Sequence, residues 1–176
     1  MTEKTVSVFG TSRAKPGQDL FILAEQTGRA LTQAGFVLAN GGYGGTMLAG
    51  AKGAAEAGGT IVGVTCKAFG NSAANQYVTR EVCTESLDER LNTLVEMAQA
   101  YVVLPGGTGT LLELAMVWEL KNKKFLDDDR PIVLLGDFWK PLVALVGSED
   151  ARAVRTVRAA ATPAEAVAYI REAMPE

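Results

Sequence analysis

Residues 102–113 constrain the fold of this chain most strongly, with the sequence Val-Val-Leu-Pro-Gly-Gly-Thr-Gly-Thr-Leu-Leu-Glu. The apolar residues at the start predict a buried strand that ends at Pro105. Three glycines predict a turn, and we expect a helix to begin at Thr110, with Glu113 in its first turn. Backbone amides at a helix N-terminus carry partial positive charge and bind anions. The stretch therefore predicts a phosphate site formed by Gly106, Gly107, Thr108, Gly109 and Thr110.

Thr110 and Glu113 also have a purely structural interpretation. The spacing Thr-x-x-Glu fits a capping box, in which the threonine caps the helix and the glutamate reaches back to the N–H of the cap residue. Such a cap requires only these four positions. Three glycines weaken a turn entropically unless something must approach its backbone closely, so the glycines favour a bound ligand.

Apolar strands alternate with amphipathic helices along the rest of the chain. We predict strands at 5–9, 36–39, 61–65 and 131–135 in addition to the one before Pro105, and a long polar loop over the pocket at 66–84. This alternation predicts an α/β fold, a Rossmann-like doubly wound parallel sheet with helices on both faces. A length of 176 residues with 48% hydrophobic content fits a single domain over residues 1–176.

Two further turns follow predicted strands. One comes directly after the first strand, and a run of glycines from Gly41 to Gly45 follows the second. Open parallel sheets bind ligands beyond the carboxyl ends of their strands. We therefore predict that the nucleotide-binding residues also include Gly10, Thr11, Ser12, Gly42, Gly44 and Gly45.

The composition and the missing motifs narrow the chemistry. The chain contains no histidine, which excludes Ser-His-Asp and Cys-His nucleophiles and removes the commonest transition-metal ligand. The first turn lacks the dinucleotide fingerprint Gly-x-Gly-x-x-Gly, and the Gly-Lys-Ser or Gly-Lys-Thr of a phosphate loop does not occur. A mononucleotide or a sugar phosphate remains as the ligand, and we expect no metal ion and no cofactor.

Charge and hydropathy indicate the partners and the compartment. A formal charge of −3 and a pI near 5.1 argue against a nucleic-acid surface, which normally needs a clustered basic face. There is no apolar leader after a basic start, and no run of roughly 20 apolar residues that could span a membrane. We expect a cytoplasmic protein that binds neither nucleic acid nor membranes.

The residues Pro105 to Glu113 resemble the Pro-Gly-Gly-x-Gly-Thr-x-x-Glu signature of the LONELY GUY (LOG) family. Members of this family are cytokinin riboside 5'-monophosphate phosphoribohydrolases and are often mislabelled lysine decarboxylases. The first turn and the glycine run after the second strand are also similar to those of the family, so the resemblance covers nearly the whole chain. It implies hydrolysis of the N-glycosidic bond of a nucleoside 5'-monophosphate, either AMP or a cytokinin riboside monophosphate, to free base and ribose 5-phosphate.

The resemblance also implies roles for two residues. Glu113 would be the catalytic carboxylate beside the ribose, where the transition state develops oxocarbenium-like charge. Arg90 would be a second catalytic residue that orients Glu113 or stabilises charge at the departing base. From the residues alone, the favoured interpretation of Arg90 is an exposed helix arginine paired with Asp88 or Glu89.

The family also implies a homodimer with active sites near the subunit interface. The small residues of the predicted helix at 50–57 agree with a homodimer, because they would allow two helices to pack closely.

Four positions depart from the family pattern. Leu91 stands where the family has a lysine after its arginine, and Leu112 stands where an acidic residue often precedes the glutamate. Tyr43 and Leu48 occupy positions in the glycine run that usually hold glycine or an acid. The missing lysine leaves a second hypothesis open: a non-catalytic nucleotide-binding or sensor protein of the same fold.

Overall fold

A computed structural model of the protein describes residues 4–70, 73–127 and 130–174. In these ranges the strands are β1 (Thr5–Phe9), β2 (Val37–Asn40), β3 (Ile61–Cys66), β4 (Arg80–Thr84), β5 (Ala100–Val103), β6 (Ile132–Leu135) and β7 (Arg158–Ala160). The helices are α1 (Asp19–Gln33), α2 (Thr46–Glu56), α3 (Leu87–Glu96), α4 (Thr108–Asn122), α5 (Lys140–Glu149) and α6 (Pro163–Ala173). Short 3-10 turns lie at Lys67–Phe69 and Ala153–Thr156.

All seven strands form one parallel sheet in the order β4-β3-β2-β1-β5-β6-β7. The chain builds outward from β1 in one direction and then returns to place β5 on the other side of β1. The predicted α/β, Rossmann-like doubly wound fold is therefore confirmed. The point where the strand order reverses lies between β1 and β5, and ligands of such sheets bind beyond the carboxyl ends of the strands at this point.

Helices cover both faces of the sheet because each central strand points apolar side chains in both directions. In β1, Val6 and Val8 contact one hydrophobic cluster, which includes residues of α1, α2 and α6. The next residue, Phe9, belongs to the cluster on the opposite face, formed with α3, α4 and residues of α5. A strand with one buried face alternates apolar and polar residues, whereas a strand buried on both faces is apolar throughout. This is why the central strands appear as continuous apolar runs in the sequence.

Residues 80–84 correct the prediction of a continuous loop at 66–84. They form β4, an edge strand paired in parallel with β3 over the register Val62↔Arg80 to Cys66↔Thr84. Most of its side chains are exposed, and Thr84 is the buried one. An edge strand that faces solvent carries little of the apolar signal that identifies a strand in the sequence. The three-residue β7 at the opposite edge was not predicted, for the same reason.

The small residues of α2 pack against α1 of the same chain. A Cβ atom added at Gly53 would lie 1.9 Å from the backbone oxygen of Glu25, and one at Gly28 would lie 2.0 Å from that of Gly50. The two helices are thus in backbone contact. The surface that the sequence assigned to a second copy is covered by α1, so α2 provides no support for a homodimer.

None of the helices in the described ranges is long and apolar enough to cross a membrane.

The contact between α1 and α2 leads to a stability prediction. Gly53→Ala should lower the free energy of unfolding by roughly 2–4 kcal/mol, because its Cβ would collide with backbone atoms of α1 unless the helices separate. Gly50→Ala in the same helix is the matched control, since its Cβ would lie 3.6 Å from Ala24 O, an ordinary contact. Alanine is also the better helix former by about 1 kcal/mol. Urea unfolding should therefore separate the two variants, and equal stabilities would contradict this account of the interface.

Candidate active site

A cavity of about 1020 Å³ opens at the carboxyl edge of the sheet, where β1 and β5 lie side by side. It is lined by residues from the turn after β1, the turn between β5 and α4, and the facing side of α3. The predicted site residues that line it are Gly10, Thr11, Ser12, Arg90, Gly106, Gly107, Thr108, Gly109, Thr110 and Glu113. The structure therefore brings both predicted catalytic residues together with two of the three predicted nucleotide-binding turns.

The helix after the glycine turn begins at Thr108, two residues earlier than the sequence predicted. Its N-cap is Gly107, which has no side chain to cap it, and Thr110 lies inside the first turn. The capping-box interpretation of Thr110 and Glu113 is therefore wrong. The first backbone bond of the helix runs from Leu111 N to Gly107 O over 2.9 Å. The amides of residues 108–110 precede this bond, and this is the group of donors that binds anions at helix N-termini.

The three glycines of this turn have different surroundings. A Cβ at Gly106 would lie 2.1 Å from Thr110 Oγ1, so this glycine is required for internal packing. Gly107 and Gly109 are exposed, and a Cβ at either would meet nothing within 4 Å. Only these two glycines leave open space in front of the amides, and this space is where a ligand could approach the backbone.

The turn after β1 lies directly against the glycine turn. Thr11 N donates to Pro105 O at 3.3 Å, and Thr11 O accepts from both the amide and the hydroxyl of Thr46, at the start of α2. Packing requires a glycine at position 10, because a Cβ there would lie 2.4 Å from Thr46 Oγ1. The backbone of Gly10, Thr11 and Ser12 thus forms a fixed wall of the cavity.

The glycine run after β2 does not reach the cavity wall through Gly42, Gly44 or Gly45. Gly42 and Gly45 have positive φ angles of 76° and 64°, which explains why glycine occupies these turn positions. Gly45 also packs on the backbone of the first turn, where a Cβ would lie 2.3 Å from Thr11 O. The conformations of Gly42 and Gly45 therefore have structural causes, and nucleotide binding by Gly42, Gly44 and Gly45 stays a prediction.

Glu113 lies in the second turn of α4 and points into the cavity. Its side chain is 14% exposed. Burial raises the pKa of the Glu113 carboxyl to about 7, and the positive charge of Arg90 opposes part of this increase. A carboxyl group with a pKa near neutrality can both accept and donate a proton at physiological pH.

Arg90 is buried, and its neighbours exclude the exposed ion pair with Asp88 or Glu89 that the sequence alone favoured. Its Nε donates to Val64 O, in the carboxyl half of β3, over 2.8 Å. Its Nη1 lies 3.8 Å from Glu113 Oε1, a distance of an ion pair that is too long for a hydrogen bond. Gly41 leaves room for the guanidinium, since a Cβ there would lie 1.8 Å from Nη2.

The sequence did not predict the aromatic and aliphatic part of the cavity. The guanidinium carbon of Arg90 lies 5.6 Å from the ring centroids of both Tyr43 and Phe69. Further apolar side chains line the cavity, some of them about half exposed: Leu20, Met47, Leu87, Leu91, Leu112 and Phe138. The sequence does contain a signal for Tyr43, because a large aromatic residue inside a run of glycines is unusual and indicates a specific contact.

The cavity thus has two different ends. One end offers backbone amides and suits an anionic group. The other offers a buried carboxylate, a guanidinium and an apolar wall, which suits a sugar and an aromatic base. Within the described residues, no cluster of acidic residues and cysteines is arranged to hold a metal ion.

Comparison with known proteins identifies the family. Residues 47–170 match the family model described as "Possible lysine decarboxylase". The chain is 32% identical over 155 residues to a cytokinin riboside 5'-monophosphate phosphoribohydrolase of Rhodococcoides fascians, covering 82% of this chain and 75% of the relative. It is 35% identical over 138 residues to the protein of the same name from Mycobacterium marinum, covering 77% and 71%.

Solved structures share the fold. The molybdenum cofactor carrier protein of Chlamydomonas reinhardtii superposes with a TM-score of 0.80 at 26% identity, over 99% of both chains. The sequence matches extend over most of the chain and include α4 and its glycine turn. The chain therefore belongs to the LONELY GUY (LOG) family, whose members include cytokinin riboside 5'-monophosphate phosphoribohydrolases.

Proposed function

We propose that this protein hydrolyses the N-glycosidic bond of a nucleoside 5'-monophosphate and releases free base and ribose 5-phosphate. The observation that carries the proposal is the presence of a buried carboxylate, Glu113, in a cavity that is also lined by residues 108–110, the first turn of α4. The names of the two relatives support the reaction type.

The phosphate would bind the amides at the N-terminus of α4, since the cavity has no phosphate-loop lysine and helix amides can substitute for one. With the phosphate bound there, the ribose would lie toward Glu113, further along the same helix. Water would attack the anomeric carbon as the C–N bond breaks, and the bonding electrons would leave with the base. Glu113 accepts the proton of the attacking water, and the departing base takes up a proton from the solvent.

Arg90 would act at the same centre. Its guanidinium is fixed by Val64 O and lies 3.8 Å from Glu113. From this position it orients the carboxylate and offsets negative charge on the departing base. Catalytic hydrogen bonds are often long before the substrate binds, so this separation is compatible with a closer contact in the complex.

The apolar wall supports an aromatic base at the other end of the cavity. Leu91 and Leu112 contribute leucine side chains at two positions where polar residues are usual in the family. AMP and cytokinin riboside monophosphates are the proposed substrates.

A non-catalytic role is the second candidate. The protein would then bind and carry or sense a small molecule in the same cavity. The likeness to the molybdenum cofactor carrier protein favours this candidate, because that relative aligns over 99% of both chains. Leu91 also favours it, since a lysine of the family's site is missing. Molybdenum cofactor would be the alternative ligand, and formation of free base separates the two candidates.

A homodimer and a cytoplasmic location are further parts of the proposal. Support for the dimer comes from large apolar side chains that one subunit leaves exposed on α4 and α5, among them Leu111 and Leu145. Light scattering at micromolar concentration should give twice the chain mass of 18.6 kDa. A mass equal to a single chain would exclude the dimer.

Replacement of Glu113 tests the chemistry. Glu113→Gln keeps the size and hydrogen-bonding capacity of the side chain but removes the charge. Base release should fall by roughly 10²-fold or more, because an amide cannot accept a proton from water. Arg90→Ala should lower the rate of base release by a comparable factor. In the double variant the rate should fall by less than the product of the two single factors, because the effects of residues that act together are not additive. Base release by Glu113→Gln at the wild-type rate would exclude Glu113 as the catalytic carboxylate.

Valine substitutions in the glycine turn test the phosphate site. Gly107→Val and Gly109→Val should abolish nucleotide binding and leave the fold intact, because neither Cβ meets a protein atom within 4 Å. Gly106→Val should instead disturb the packing against Thr110. Calorimetry with AMP measures the binding, and circular dichroism controls for the fold. Unchanged affinity in folded Gly107→Val and Gly109→Val would place the phosphate elsewhere.

The raised pKa of Glu113 predicts a stability that depends on pH. The pKa of this carboxyl is 4.5 in the unfolded chain and about 7 in the folded protein. At a pH between these two values, the carboxyl is ionised in the unfolded chain and protonated in the folded protein. Wild-type protein should therefore lose stability as the pH rises through this window, by about 3 kcal/mol in total. Glu113→Gln is the reference, because glutamine does not ionise. The contributions of all other titrating groups cancel in the difference between the unfolding free energies of the two proteins. Urea unfolding of both proteins at several pH values measures the difference, and a difference independent of pH would contradict the raised pKa.

A further inference from the structure

The guanidinium of Arg90 has few polar contacts that fix it. Among the described residues, its Nε donates a single hydrogen bond, to Val64 O, and Nη1 is too far from Glu113 to donate one. The guanidinium is planar, so the bond at Nε restrains its direction, but among the described residues no hydrogen bond to Nη1 or Nη2 adds to this restraint. A contact at the terminal end of the group would hold it more firmly beside the carboxylate.

Two aromatic rings supply this contact. The rings of Tyr43 and Phe69, called here the aromatic clamp, both lie within cation–π distance of the guanidinium, with centroids 5.6 Å from its central carbon. The two centroids are 6.1 Å apart, and the rings are tilted by 56°. Phe69 is the outer member, half exposed in the short 3-10 turn after β3.

Tyr43 is itself fixed at both ends. Its hydroxyl accepts a hydrogen bond from Cys66 N at 2.8 Å and lies 3.3 Å from Cys66 O, at the last residue of β3. Its backbone oxygen accepts from Asn75 Nδ2 at 2.9 Å. Val64, which binds Arg90 Nε, lies on the same strand two residues before Cys66. Strand β3 therefore holds both the arginine and the ring that packs on it.

We propose that Tyr43 is a positioning residue for the reaction, which holds the Arg90 guanidinium beside Glu113 through the aromatic clamp. The inference rests on the proposed function for its kinetic consequence, and its structural part stands independently. Glycine at this position would remove the ring whose centroid lies 5.6 Å from the guanidinium carbon. Tyr43 thus gives this chain a means of fixing its arginine that a glycine in the same loop would not provide.

Tyr43→Leu tests the inference, because leucine removes the ring and the hydroxyl anchor but keeps an apolar side chain. The NMR signal of Arg90 Nε–H reports the position of the side chain directly, since this proton is buried and hydrogen-bonded in the wild type. In Tyr43→Leu its exchange with water should become at least about tenfold faster, because the side chain is released. The matched control is Tyr169→Leu, which removes a comparable ring, 4.3 Å from Arg158 and outside the cavity.

Kinetics supply a second readout. In Tyr43→Leu, kcat should fall by roughly tenfold to 100-fold while KM changes by less than about twofold, as expected for a misplaced catalytic group and not for a lost substrate contact. Tyr43→Phe keeps the ring and should recover most of the loss. Tyr169→Leu should match the wild type in kcat and in Arg90 exchange.

Two outcomes would overturn the proposal. One is unchanged exchange of Arg90 Nε–H in folded Tyr43→Leu, and the other is a rise in KM at constant kcat, which would make Tyr43 a substrate contact. If the wild-type protein releases no base, the proposed function fails, and the exchange measurement alone still decides whether Tyr43 holds Arg90.

Discussion

The parallel pairing of β1 with β5 is the constraint on which the site depends. The register Phe9↔Val103 ends both strands at the same level, so the two turns that follow them lie side by side and are joined by the hydrogen bond from Thr11 N to Pro105 O. Helix α4 begins at this junction, and the residues of its first turn line the cavity. The sheet therefore positions a helix N-terminus at the cavity, and the proposed function assigns the phosphate of the substrate to it.

The same helix carries a carboxyl group, that of Glu113, whose pKa is well above its ordinary value. Glu113 lies in the second turn of this helix, and burial raises its pKa to about 7 in spite of the nearby Arg90. Burial of a carboxyl group costs stability, and the nearby charge of Arg90 offsets only part of this cost at Glu113. Such a cost at a cavity wall is typical of functional sites. Arg90 completes the pair from α3, on the other side of the cavity.

Much of this arrangement could be predicted from the sequence, because it follows from local patterns. Apolar runs separated by amphipathic helices predicted the parallel sheet, and the glycine turn before Glu113 predicted a helix that begins directly after it, as α4 does. Long-range contacts could not be predicted in this way. The burial of Arg90 depends on Val64, Gly41 and Tyr43, which are distant in the sequence. The polar side chains of β4 gave no strand signal, because that strand lies at the edge of the sheet and pairs with β3.

The central claim is that the anion-binding turn and the carboxylate act on one substrate. The most direct test is to incubate the wild-type protein with AMP, a prenylated AMP, other nucleoside monophosphates and unphosphorylated adenosine, and to quantify free base and ribose 5-phosphate by chromatography. A parallel preparation of an inactive variant controls for contaminating hydrolases. The account predicts equal amounts of the two products from at least one monophosphate and none from adenosine. Tight binding of a monophosphate without release of base would contradict the claim and indicate a carrier or sensor.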